Sequence, residues 1–261
     1  MRLVPAEARD SAVGDNRQRR GRALRLREGL DLLQGAAKIA FGSRVTLADV
    51  TFDGIESITS AHVRAAREME MVVRLVGAAT LSEGRLDVRV GPCLVDRHHP
   101  LAAVEGAFNA VMLQGDAIRE ITLEGPGAGG METASAVVAD MVSVIGTTGT
   151  GFLQNDACWR ELEWLPSAEM RSPYYLRIEV DDVAGVLAQV ALRLAAHRVS
   201  VARLIQHQEN GAATLHIVTH EGAEGDLRSA LQEIESLPET KGAPSALPVI
   251  SDRGVPGLGW D

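Results

Sequence analysis

The run from Leu123 to Val144, LEGPGAGGMETASAVVADMVSV, decides how this chain is read. A strand-like stretch, Ile118 to Leu123, leads into a Gly-rich turn, and a helical pattern follows. The phosphate-cradling turn of a dinucleotide fold has the same order: glycines allow positive φ, and helix N–H groups receive the pyrophosphate. The full signature asks for more. It needs a second parallel strand about 30 residues on and an acidic residue about 20 residues past the glycines. Here the helix leads to TTGTG (Thr147 to Gly151), a linker pattern, and Asp140 falls inside the helix. FNAVMLQG, Gly115-Asp116 and IREITLEG read as strand, turn and returning strand, so the strand before the glycines is the second arm of a hairpin. The loop does not build a nucleotide domain by itself. Its backbone still admits a ligand closely along Gly125, Gly127, Ala128, Gly129 and Gly130; the bland alternative is a turn needed only for packing. The helix that follows is expected to turn Ala134, Val137, Val138, Met141 and Ile145 toward a core.

A chain of 261 residues with 46% apolar content holds one large domain or two modest ones. It contains no run of about 18 apolar residues, so no membrane span is expected. Its start shows no apolar signal region. Cys93 and Cys158 fit free thiols in a reducing cytoplasm better than a disulfide framework. A net charge of −9 gives no electrostatic reason to seek nucleic acid or anionic membrane. Residues 1–28 run against that balance, with eight arginines. They read as a disordered, solvated tail rather than a nucleic-acid arm, because no aromatic side chain interleaves the arginines as a stacking platform.

Periodicity begins at GLDLLQGAAKIAFG, a short helix ending near Gly42, and RVTLADVTF then looks extended. DGIESITSAHVRAAREME has helical spacing, with Ile55, Ile58, Val63, Ala66 and Met69 along one stripe. MVVRLVGAATL and RLDVRVGPCLV form a hairpin about Ser82-Glu83-Gly84, and Pro100 can open a helical turn. Trp159 and Trp164 would pin a linker to a surface. From Tyr174 the order becomes strand, helix, strand, strand, helix, strand, the ferredoxin-like βαββαβ arrangement. The fold expected is α/β (α+β): a mixed-sheet domain over 29–146, a linker over 147–173, a ferredoxin-like domain over 174–251 and a loose tail over 252–261.

Two long runs, PCLVDRHHPLAAVEGAFNAV and GPGAGGMETASAVVAD, closely resemble the catalytic domain of homoserine dehydrogenases, and DVTFDGIESI resembles another of that family's stretches. YLRIEVDDVAGVLAQVALRLAAHRVSVARLIQ resembles the ACT domain that bacterial members carry at the C-terminus. The resemblance implies an oxidoreductase that interconverts aspartate semialdehyde and homoserine with NADP or NAD, in threonine, methionine and isoleucine biosynthesis. It also implies a cytoplasmic homo-oligomer, with the Gly125 to Gly130 loop beside the cofactor. No strand–GxGxxG–helix precedes residue 30, so the family's nucleotide-binding domain has no counterpart in this sequence.

In the family an Asp binds substrate, and a Lys four residues later gives the carbonyl oxygen its proton. Asp31 matches the Asp, but position 35 is Gly35; Lys38, seven positions from Asp31, is the candidate to replace the lysine. The bland readings are a helix N-terminal carboxylate and a solvated lysine. Glu70 and Arg198 stand where the family commonly has Gly, Gly91 where it often has His, and Arg74 where it has Lys. His98 and His99 have no partner spacing for a metal, and none is expected. The ACT resemblance makes the turn with Asp182, Gly185, Val186 and Leu187 a place for an amino acid such as threonine. A non-catalytic sensing or dimerisation protein is therefore the alternative to an enzyme.

Overall fold

The computed structural model describes residues 2–7, 37–106, 108–127, 129–146, 160–209 and 212–250. In chain order the elements are β1 (Arg2–Glu7), β2 (Thr51–Phe52), α1 (Ser60–Glu68), β3 (Met71–Ser82), β4 (Arg85–Asp96), β5 (Phe108–Gly115), β6 (Arg119–Pro126), α2 (Gly130–Gly146), β7 (Glu163–Trp164), β8 (Arg171–Ser172), β9 (Tyr174–Asp181), α3 (Val186–Ala196), β10 (Val201–Glu209), β11 (Ala212–Thr219), β12 (Gly222–Ala223), α4 (Glu224–Glu235) and β13 (Ser245–Ile250). They fall into two compact units. One comprises the described residues of Met1–Ile55, Arg74–Gly91 and Ala103–Trp164; the other those of Glu56–Val73, Pro92–Ala102 and Leu165–Asp261. The chain passes from unit to unit within β3 and β4, so the boundaries do not follow the 29–146 and 174–251 division expected from sequence.

In the first unit the strands lie in the order β4-β3-β1-β5-β6, with β2 and β7 alongside β4. The hairpin between β3 and β4 turns on Glu83 (φ 50°) and Gly84 (φ 78°), a two-residue loop with both residues in the left-handed region that strand twist favours. Alternation along β4 sends Leu86, Val88 and Val90 into a core with Ala79, Val45, and Ala37 and Phe41 from the helical residues 37–41. That helix ends at Gly42 (φ 62°), whose N–H bonds the Lys38 carbonyl at 3.0 Å.

Three expectations are corrected here. The disordered tail over 1–28 does not hold for Arg2–Glu7, which form β1, antiparallel to both β3 and β5. Pairing with β3 skips Val4 and Pro5, as a residue without an N–H requires. RVTLADVTF is not one extended run: Thr46 and Asp49 form a reciprocal cap around a 3-10 turn over Leu47–Asp49, and only Thr51–Phe52 pair as β2. The side chains of α2 are not turned into a core among the described residues. Val137, Val138, Met141 and Ile145 are all more than half exposed, and Ala134 is exposed.

In the second unit β10-β11-β9-β13 form the expected antiparallel sheet, which the final residues of β4 extend in parallel against β13. Alternate residues divide its faces. Leu176, Ile178 and Val180 of β9 pack with Leu215 and Ile217 of β11 against Val190 and Leu194 of α3 and Leu227 and Ile234 of α4. The opposite face is covered by α1, through Ala65, Ala66 and Met69 on Tyr175, Val218 and Leu94. The α1 stripe therefore runs through His62 rather than Val63, which stays 36% exposed. The helix also begins later than the periodicity suggests, after a 3-10 turn over Ile55–Ser57. Trp164 pairs in β7 beside Leu86; Trp159 and the tail over 252–261 lie outside the described residues.

Glu70, just past α1, sits at φ 58°, where a side chain costs energy, and its ion pair with Arg97 (3.4 Å) is exposed on both sides. Glu70→Gly is expected to raise stability by roughly 0.5–1 kcal/mol. Leu94→Ala, at a position with no exposure, is expected to lower it by about 2–5 kcal/mol, and Leu123→Ala, 61% exposed, to leave it nearly unchanged. Denaturant unfolding of the three variants measures all of these effects.

Candidate functional site

The glycine loop joins β6 to α2, and β6 pairs only with β5, antiparallel, among the described residues. This is not the parallel geometry of a dinucleotide-binding turn. Each loop glycine has its own surroundings. A Cβ on Gly127 would collide with the side-chain amide of Asn109 on β5, so absence of a side chain there serves packing. A Cβ on Gly129 would meet the carboxylate of Glu132, which lies in the first turn of α2. Gly125 and Gly130 have open space where a Cβ would stand. Gly127, Gly129 and Gly130 are exposed and Gly125 is half-buried; Ala128 lies outside the described residues. The α2 N-terminus already has a carboxylate beside it, which opposes a pyrophosphate and leaves room for an uncharged ligand group.

Lys38 belongs to the same unit. It is half-buried, between Ala37 and Phe41 in the core and exposed Ile39, and its ammonium has no partner among the described residues. Asp31 and Gly35 lie outside the described residues, so the structure does not set Lys38 beside them. Gly91 has a physical reason for being Gly here: a Cβ would stand 3.3 Å from the Cβ of Asp53.

At the ACT turn, Gly185 has φ 94° and precedes the first residue of α3. Gly185 and Leu187 are exposed and Val186 is buried. Part of the turn is already engaged: the Val186 N–H donates to the Val183 carbonyl at 3.4 Å, and Gln208 Nε2 donates to Asp182 Oδ2 at 2.8 Å. At its far end α3 stops in two paired bonds, Arg198 N to Ala195 O (3.0 Å) and Val199 N to Leu194 O (2.9 Å), with Arg198 at φ 60°. This stop usually takes Gly; Arg costs on the order of 1 kcal/mol there. His99 is buried and accepts the Leu101 N–H at Nδ1, whereas His98 is exposed. Among the described residues no three His, Cys, Asp or Glu side chains gather as metal ligands.

A polar cluster under α1 was not anticipated from sequence. His62 Nδ1 accepts the Thr59 N–H (3.2 Å), and its Nε2 meets Ser245 Oγ at 3.0 Å. Tyr175 Oη and His216 Nδ1 share a hydrogen bond of 2.8 Å; the rings of His216 and His207 lie 5.2 Å apart, and His207 Nε2 reaches Glu68 at 2.8 Å. Burial, then the positive fields of His207 and Arg177, lower the His216 pKa to about 4. Burial, then Arg177, lowers that of His62, and burial raises Tyr175 to about 12. The imidazoles of His62 and His216 are thus uncharged at neutral pH, and the Tyr175 phenol keeps its proton. The only sequence trace is that Tyr175, His207 and His216 fall on strand positions alternating with the apolar ones.

The homoserine dehydrogenase family model matches residues 33–142, and the ACT domain model matches 174–239. A homoserine dehydrogenase of Synechocystis sp. is 33% identical over 237 residues, which are 86% of this chain and 54% of that protein. The homoserine dehydrogenase of Bacillus subtilis is 32% identical over 244 residues, 89% of this chain and 54% of that protein. A solved homoserine dehydrogenase from Thiobacillus denitrificans aligns with a TM-score of 0.77 at 30% identity, over 84% of this chain and 52% of that one. The chain therefore spans about half the length of the curated relatives it matches.

The His216 environment sets a pH dependence. The unfolded chain takes up this proton near pH 6.5 and the folded chain only near pH 4. Stability from this group is therefore full above pH 6.5 and is lost as the pH falls toward 4. The expected loss is on the order of 1 kcal/mol at pH 5.5, a drop of a few degrees in Tm. Thermal unfolding between pH 7.5 and 5.5 checks it, and His216→Gln should flatten the slope.

Proposed function

Because the chain belongs to the homoserine dehydrogenase family, carrying its catalytic domain and an ACT domain, we propose that it supplies the substrate-handling half of the NAD(P)-dependent interconversion of aspartate semialdehyde and homoserine. The observation that supports this most is the family match over 33–142, which contains the open loop at the start of α2. Gly125, Gly129 and Gly130 would lie against an uncharged part of the cofactor, which supplies the hydride. The chain's own task is to hold the aldehyde and give its oxygen a proton as the alcohol forms. Lys38, half-buried and unpartnered among the described residues, is our candidate donor in place of Gly35, with Asp31 on the substrate. A cofactor's pyrophosphate is not provided for among the described residues. The reading therefore requires a nucleotide-binding domain in addition to these elements, and an assembly with at least one further copy or domain. No helix of the described residues is long and apolar enough to cross a membrane, and the reading places the reaction in the cytoplasm.

A second reading rests on the 174–239 match and the Gly185 turn: an amino acid such as threonine received at Asp182, Gly185, Val186 and Leu187. It would operate with or without catalysis.

Homoserine-dependent reduction of NADP⁺, followed by absorbance, separates the readings. The purified chain is expected to be folded and inactive alone. With the nucleotide-binding half of a relative added as a separate polypeptide, turnover is expected, and Lys38→Ala should reduce it by roughly 10²–10⁴-fold. Turnover by the chain alone would remove the need for a second domain. Inactivity of the folded, complemented protein would overturn the catalytic reading and leave the amino-acid one.

A further inference from the structure

Asn109, the second residue of β5, stands opposite Gly125 in the ladder with β6. Its side chain therefore rises beside the glycine loop rather than from it. The amide takes the place that a side chain on Gly127 would fill: a Cβ there would overlap Nδ2 and Cγ and come within 3.0 Å of Oδ1. Gly127 thus keeps room for an amide, and any larger residue would drive that amide out.

The amide is more than packing requires. Asn109 is half-buried, its Nδ2 and Oδ1 make no hydrogen bond among the described residues, and neither atom is shut off from solvent. An apolar side chain of the same shape would fill the space beside Gly127 at no polar cost. A donor and an acceptor side by side, unused, border the open positions at Gly125 and Gly130. The far wall is the exposed Glu132 carboxylate, against Gly129. Gly127 and Gly129 are two residues apart, so their Cα atoms lie within about 7 Å. One small planar group therefore spans the opening.

We propose that Asn109 is a specificity-determining residue whose amide pairs with a primary carboxamide of the ligand. The ligand NH2 donates to Oδ1, and its carbonyl accepts from Nδ2. This deepens the reading given under Proposed function and rests on it: the uncharged part of the cofactor at the loop is then its nicotinamide carboxamide. Other groups answer the amide less well. A ketone keeps one of the two bonds. A carboxylate has no donor for Oδ1 and stands near the charge of Glu132. A hydroxyl offers both functions at a single atom and cannot span Nδ2 and Oδ1. A site built to bond an N–H rejects the analogue that lacks it.

Saturation-transfer NMR on the full chain, titrated in turn with nicotinamide, 3-acetylpyridine and nicotinate, tests the pairing. Nicotinamide is expected to bind saturably, with a Kd on the order of 1–10 mM for so small a molecule. The ketone and the acid should each bind roughly five- to tenfold more weakly. Asn109→Leu keeps the bulk beside Gly127, so Tm should hold or rise. The variant should bind nicotinamide only as weakly as 3-acetylpyridine, a loss of discrimination that a purely structural role would not produce. The proposal is overturned if the folded chain binds no nicotinamide, if 3-acetylpyridine or nicotinate binds equally well, or if Asn109→Leu still discriminates. Each of these results would leave turnover of the complemented protein standing. Loss of that turnover with discrimination intact would instead remove the catalytic reading.

Discussion

Both edges of β4 have to be occupied, and much of the fold follows from how that is done. A twelve-residue strand buried over most of its length cannot leave backbone donors and acceptors unpaired. On one side lies β3, its hairpin partner. On the other, three short segments distant in sequence take their places in series, all parallel to it: β7 at Arg85 and Leu86, β2 at Arg89 and Val90, and β13 at Leu94 and Val95. Two of the three, β2 and β7, are two residues long and are strands only because β4 offers them an edge, whereas β13 is also held by β9.

This dependence explains what could be read in the sequence. The βαββαβ order from Tyr174 was legible because each element carries its own periodicity, and the hairpins were legible from Glu83-Gly84 and Gly115-Asp116. Strand β1 was not: six residues with Pro5 among them give no strand signal, and β1 is defined only by the two neighbours that enclose it. Nor could the stripe on α1 say which sheet it would meet. Its partners, Tyr175 and Val218, come more than a hundred residues later.

The candidate site divides in the same way. That the glycine loop is not a nucleotide turn could be derived, because an antiparallel hairpin before it excludes the parallel geometry. The separate reasons for Gly127 and Gly129 could not, since they lie in the side chains of Asn109 and Glu132. The cluster of His62, Tyr175, His207 and His216 draws on four elements, and no local pattern announces it. Its buried members are tolerable because desolvation keeps the His62 and His216 imidazoles neutral, so that hydrogen bonds, not charges, are what the interior must satisfy there.

The exposed side of α2 bears on the glycine loop as much as on stability. Met131, Val137, Val138, Met141, Val142, Val144 and Ile145 are each at least 53% exposed. A helix of 17 residues gains most of its stability from a packed apolar face, and among the described residues α2 has none buried. The glycine loop takes its shape from the helix start, through the Thr133 N–H to Gly129 carbonyl bond and the Glu132 carboxylate. Whatever covers α2 therefore also fixes the loop.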